Sequence, residues 1–202
     1  MKSYEYLHKR VLVTSKARYE ASKRLRLHSW CSQWTLAFLA VGQIVLALFA
    51  TFDLVDDAVT KNQIDMASLF FAVVVLTYSL LLGMGDFSAR SSNIHQCGLE
   101  LAELSRKLHY RVTHQYQSTE HEYLDFVNRY YICLNRHENH VSHDYLIARL
   151  DYLIEHGKKP SKFDMLFNYK LKIYWHRVLG FSHYIFSITL LVLWSWHLVS
   201  FG

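Results

Sequence analysis

Two long stretches without a charged residue constrain this chain more than any other feature. Residues 27–52 contain no Asp, Glu, Lys or Arg over 26 positions, and residues 66–85 contain none over 20. The first centres on Thr35, Leu39, Gln43 and Leu46, the second on Leu69, Val73, Leu76 and Leu80. About 20 apolar residues in a helix cover the roughly 30 Å hydrocarbon core of a bilayer. Only a helix satisfies its own backbone hydrogen bonds there, so each run reads as a membrane-spanning helix. A buried helix of a soluble protein would account for one such run. Two in tandem, separated by a link of 13 residues (53–65), read as a membrane hairpin.

Charge then orients the hairpin. Before it stand eight basic residues (Lys2, Lys9, Arg10, Lys16, Arg18, Lys23, Arg24, Arg26) against Glu5 and Glu20. The link carries Asp53, Asp56, Asp57 and Asp65 against Lys61 alone. Basic flanks stay on the cytoplasmic side of a membrane. The expected topology is a multi-pass protein of the cell inner membrane, N-terminus cytoplasmic, link outside and residues 86–177 inside. The apolar run starts too late for a signal peptide and lacks a small-residue cleavage site.

With 202 residues, one Pro and seven Gly, the chain has room for about one domain and few turns, which favours long helices. Its net charge of +5 is concentrated in the first 26 residues, beside the bilayer, where it attracts anionic headgroups. That placement, without a reading motif, argues against direct nucleic-acid binding. Cys31, Cys97 and Cys133 are an odd count with no CxxC, so neither a disulfide framework nor a metal site is expected.

Residues 3–26 lack Gly and Pro and are rich in helix formers, which predicts a helix running straight into the first span, its charged face solvated or turned to lipid or a partner. After the second span, Ile94, Cys97, Leu101, Leu104, Leu108 and Val112 recur at steps of three and four. That is the seam of a helix packed on another helix, with no abrupt turn expected before it and an end near Gln115. Thr119 with Glu122 forms a capping box for the next helix, which buries Tyr123, Phe126 and Tyr130. Gly157 and Pro160 end the helical region carrying Leu146, Leu150 and Leu153. A last helix, capped by Ser161 and starting near Phe163, loses all charge after Arg177 and carries Trp194 and Trp196 near its end. Trp clusters sit at membrane interfaces, so a third span is expected.

The fold class is therefore all-α: a membrane helical hairpin, long helices extending into the cytoplasm, a cytoplasmic bundle and a third apolar helix. The expected division is 1–115, holding the basic helix, hairpin and helical extension, and 116–202, holding the remaining helices.

The order of parts is similar to a known family. A basic helix with Ala17, Arg18, Ala21, Arg24 and Leu25 leads into a two-span hairpin with a short outer loop. A helix with Arg90, His95, Cys97, Leu101, Leu104 and Leu108 follows. Over residues 10–112 this resembles the SLATT family, the two-transmembrane effectors of prokaryotic conflict systems. The third apolar segment departs from the usual two-span plan. Membership implies an effector that permeabilises or depolarises the host membrane when triggered by a partner from the same defence locus. One branch, similar in layout, is linked to reverse transcriptases. A reverse transcriptase or a nucleotide-signal sensor is the kind of partner this implies, and the family has no catalytic signature or cofactor.

Thirteen histidines invite other readings. His137, His140 and His143 stand three apart, but on a helix the third rotates away from the first two, and no Cys or carboxylate beside them has a standard zinc spacing. Arg136 with His143 fits a loose Arg-x4–6-His ribonuclease pattern resembling HEPN enzymes, a match expected by chance in so histidine-rich a chain. No catalytic, cofactor-binding or metal residue is assigned. In the spans, Ala40, Gln43, Ala47 and Ala50 share one face. Ser68, Ala72, Ser79 and Gly83 share another, continued by Asp86 at the inner mouth. Small faces let helices approach, and polar groups at depth bond across helices. The candidate pore-facing or interhelical polar residues are Gln43, Ser79, Gly83 and Asp86. The candidate assembly seam is Ile94, Leu101, Leu104 and Leu108. The expectation is a homo-oligomeric membrane effector; its rivals are a non-conducting anchor for a partner enzyme and a membrane-tethered ribonuclease.

Overall fold

Nothing in the first 41 residues can end a helix, since Gly and Pro are both absent from them, and α1 duly runs unbroken over Lys2–Phe52. The structure, a computed structural model, describes residues 2–52, 61–114, 119–158, 160–161 and 165–200. Most of the acidic link (Asp53, Asp56, Asp57), the expected seam end at Gln115 and the expected helix start at Phe163 lie outside these residues. Further helices are α2 (Lys61–Gly85), α3 (Phe87–Thr113), α4 (Glu120–Arg136) and α5 (Ser142–Glu155). A π-helical stretch, Met165–Leu171, precedes α6 (Lys172–Ser200). Among the described residues there is no strand, and the all-α fold stands. Three helical stretches, within 2–48, 62–113 and 169–193, are long and apolar enough to cross a membrane.

The helix boundaries have local causes. Thr119 Oγ1 accepts the Glu122 N–H at 3.3 Å and opens α4. The Asp144 carboxylate accepts the Val141 N–H at 3.3 Å and opens α5. Gly157, at φ +70°, closes α5: its N–H reaches Ile154 O and the next N–H reaches Leu153 O, a Schellman arrangement. One expectation needs correction. The passage from the second span is interrupted at Asp86, which takes φ +35° between α2 and α3. Asp is among the few residues that tolerate that region, and Gly85 before it leaves room for the Phe87 ring, which would stand 3.2 Å from an added Cβ.

The chain divides into two compact units, Met1–Arg26 with Ser88–Arg177 and Leu27–Phe87 with Val178–Gly202. The first is a helical bundle. Its core joins Tyr4, Leu7 and Val11 of α1, Cys97, Leu101, Leu104 and Leu108 of α3, and Phe126, Tyr130 and Cys133 of α4. Ile94, Leu101 and Leu108 are 0–1% exposed and Leu104 7%. Each such side chain contributes about 1.5–3 kcal/mol by leaving water. Small residues let α1 and α3 approach. Ser15 Oγ donates to Gly98 O at 2.9 Å, and Ser91 Oγ donates to Ser22 O at 2.9 Å. The pairs 15–98 and 22–91 run the two helices antiparallel. On another side of α1, Val13 and Ala17 pack on Ala148 of α5.

The second unit is built from the C-terminal half of α1, α2 and the apolar part of α6. Leu39 and Leu46 of α1, Ile64 and Phe71 of α2 and Leu191 of α6 form its core.

Candidate membrane-active surface

In the second unit the usual soluble pattern is inverted outside a narrow core. Leu69, Val73, Leu76, Leu80 and Met84 of α2 are 56–84% exposed, and so are Ile185, Phe186, Val192, Leu193 and Trp196 of α6 at 58–69%. On α1, Trp34, Phe38, Val41, Ile44 and Leu48 are also exposed. So much apolar surface exceeds what a water-facing helix leaves open; its solvent is lipid.

Gln43 is the polar group at depth. Its Nε2 donates to Ser68 O at 2.8 Å and to Ser68 Oγ at 2.9 Å, while its Oε1 is buried with no hydrogen-bond donor among the described residues. By sequence, a monomeric hairpin would meet this amide with Ser79 or Thr77 and an open oligomer would turn it toward water; the structure pairs it with Ser68. An antiparallel hairpin matches residues equally far from its connection. Gln43 stands nine positions before Phe52 and Ser68 seven after Lys61, whereas Thr77 and Ser79 lie more than two turns further along. Nine residues of helix rise about 13 Å, close to the middle of the hydrocarbon core.

The small-residue faces straddle the edge of the packed stripe. Ser68 and Ser79 are half-buried, and Ala40 likewise. Ala47, Ala72, Gly83 and Asp86 are exposed, and a Cβ added at Gly83 would meet nothing within 4 Å. Gly42 is the opposite case. An added Cβ there would lie 2.6 Å from a Leu191 methyl, so the absent side chain is what admits α6 against α1. At the other end of the same contact, the His28 ring stacks on Phe181 at 4.1 Å and on Phe87 at 5.5 Å. Tyr184 donates to His28 O at 3.3 Å. From 28 with 184 to 42 with 191, α6 runs in the same direction as α1.

The basic face of α1 is the expected solvated stripe only in part: Lys2, Lys9, Arg10, Lys23 and Arg26 are exposed, while Lys16, Arg18 and Arg24 are drawn into the first unit. Arg18 is 1% exposed and donates to the backbone carbonyl of Glu138. Arg24 makes a two-point bond with Asp144, at 3.2 and 3.1 Å, and that carboxylate is 1% exposed. Lys16 pairs with Glu155 at 2.5 Å, while Lys9 and Arg10 lie over the rings of Tyr152 and Tyr130 at 5.5 and 5.8 Å. The Arg90 guanidinium bonded to Glu138 holds that carboxyl below its usual range.

The three spaced histidines do not share a helix. His137 ends α4 in an extended conformation, 4.0 Å from Glu100. His140 stacks on Tyr145 at 6.0 Å and His143 on His176 at 5.4 Å. Burial lowers the pKa of both His140 and His143. Arg136 is exposed at the end of α4, and no hydrogen bond joins it to His143 among the described residues. Cys97 and Cys133, far apart in the chain, meet with their sulfurs 3.5 Å apart. The Cys133 thiol hydrogen-bonded to it lowers the Cys97 pKa.

Comparison with curated proteins gives no match, and comparison with solved structures gives none either. Comparison with family models gives one, and it covers residues 1–199, beyond the 10–112 of the sequence resemblance. The match takes in α6 as well as the hairpin. The chain belongs to the SMODS and SLOG-associating 2TM effector domain family 5.

Proposed function

We propose that this effector acts by assembling in the inner membrane and letting ions across it when a partner from its defence locus triggers it. The reading rests on Gln43: a half-satisfied amide at mid-depth, beside the small residues Ala47 and Ala72, which are exposed among the described residues. An unmet amide oxygen in an apolar setting costs roughly 2–7 kcal/mol, a cost that a second copy or water in an opened path would remove. Ala47, Ala72 and Gly83 are the places where another helix approaches most closely. In this arrangement Ser79 and Asp86 line the inner part of the path, and the acidic link and Asp86 favour cations at its two mouths. The charge asymmetry sets the N-terminus in the cytoplasm. The same direction of α1 and α6 fits both helices crossing from inside to outside.

Cross-linking tests the assembly. Ala72→Cys in a Cys31→Ser background should give a disulfide-linked dimer in native membranes under mild oxidation. An equivalent cysteine at Val73, about 100° further round α2 and within the bulky lipid-facing stripe, should give less. Equal or absent cross-linking at both positions would place the helix contact elsewhere.

A further inference from the structure

The helical bundle of the first unit carries a ligand set that its sequence spacing conceals. Cys97 and Glu100 stand one turn apart on α3, and Cys133 and His137 one turn apart on α4. The two thiol sulfurs are 3.5 Å apart, and they and a ring nitrogen of His137 all lie within 4.8 Å of one another. Both cysteines are buried, at 0% and 6% exposure, and the His137 side chain is 14% exposed. The Glu100 carboxylate, 4.0 Å from His137 Nε2, stands beside the three.

We propose that this cluster binds a zinc ion, with Cys97, Cys133 and His137 as ligands and Glu100 closing the fourth position. Zinc takes thiolate sulfur at about 2.3 Å in a tetrahedron, which sets two sulfurs about 3.8 Å apart, close to the separation already present. Mixed sulfur and imidazole ligands in a tetrahedral site favour zinc over magnesium or calcium, which prefer oxygen. Binding releases the two thiol protons and leaves two thiolates and one carboxylate on a dication, a net charge of −1. The guanidinium of Arg18, which acts electrostatically on Cys97, offsets that charge. Each helix supplies two ligands, so the ion clamps α3 to α4 at the end where α4 stops. His137 is suited to this because it sits at the helix end with φ −124° and ψ 152°, which frees its ring from the helical rotamers. The role of the ion is structural: it ties α3 to α4 and adds to the stability of a unit whose helices form without it.

The test uses the full chain purified in detergent under reducing conditions. Elemental analysis should find about one zinc per chain. Cobalt exchanged for it should give thiolate-to-metal charge-transfer absorption and the visible bands of tetrahedral cobalt. His137→Gln, at a partly exposed helix end, should keep wild-type helical content by circular dichroism yet lose most of the metal. Cys97→Ser and Cys133→Ser should lose it as well, and Cys31→Ser should keep a full complement. The proposal is overturned if reduced protein binds neither zinc nor cobalt, or if a folded His137→Gln chain retains wild-type stoichiometry. A Cys97–Cys133 disulfide trapped by rapid alkylation of cells, with no zinc bound, would also overturn it and assign the pair to redox chemistry.

Discussion

Arg24 and Asp144 show how much depends on side chains that sequence spacing cannot join. The pair stands 120 positions apart, and its carboxylate is almost wholly buried. Removing one partner leaves the other charge uncompensated, at about 3–5 kcal/mol for a buried pair. Arg24→Met should therefore lower the thermal unfolding midpoint of the detergent-solubilised chain by several degrees, and a further Asp144→Leu should recover part of the loss. A neutral effect of Arg24→Met would mean the pair is solvated. Histidine titration gives a second prediction. His8, His140 and His143 all have pKa values lowered by burial, so the unfolded chain binds their protons first. His140 is held down further by Arg18 and raised by Asp144; His8 faces His109 and His156. Their contribution is complete above the unfolded value of about 6.5 and is lost as pH falls through the lower folded values. Unfolding midpoints measured between about pH 7.5 and 5 should fall, before most carboxylates titrate. A rise over that window would contradict the burial of these rings. Gln43 itself stood out in the sequence, as an amide inside an uncharged run. Its bond to Ser68 did not, because the pairing depends on where the link closes the hairpin.

Helices and their seams were the most legible part of the chain. The step of three and four from Ile94 to Leu108 marks one face of α3, and that face is buried against α1 and α4. Leu104→Glu would put a carboxylate among Leu7, Leu101 and Leu108, or ionise only by opening the seam. It should cost several kcal/mol and leave a chain that fails to accumulate in membranes or loses cooperative unfolding. Wild-type yield and stability for Leu104→Glu would show the packed face to lie elsewhere. The capping of α4 by Thr119 and the end of α5 at Gly157 were also written locally, since each needs only a side-chain oxygen or a glycine in place. Two features escaped the local pattern. Asp86 breaks what the apolar run predicts as a smooth passage, and only Gly85 before it hints at the break. The paired part of the basic face of α1 also reads as solvated, because its partners, Asp144, Glu155 and Tyr152, come from a helix more than 100 positions later.

Taken together, the parts make an effector whose apolar helices have lipid as their natural solvent and whose basic N-terminal segment is tied into a helical bundle. Uncharged runs and charge asymmetry were enough to reveal the hairpin and the family resemblance. The full match also includes α6, whose docking depends on Gly42 and Leu191, a contact that no periodicity announces. The ligand cluster at Cys97 and Cys133 was hidden for the same reason: each helix carries only half of it. The central proposal is that the hairpin conducts, with Gln43 on the path. Replacing it by Leu removes its two hydrogen bonds and its unmet oxygen together, and the two effects on stability oppose each other. The direct measurement is ion flux from liposomes holding the full chain at rising protein density, wild type beside Gln43→Leu. Cation leakage exceeding anion leakage, growing more steeply than protein density and markedly weaker in Gln43→Leu despite equal insertion, is the predicted result. No flux from either protein at any density would contradict the account and leave a membrane anchor in its place.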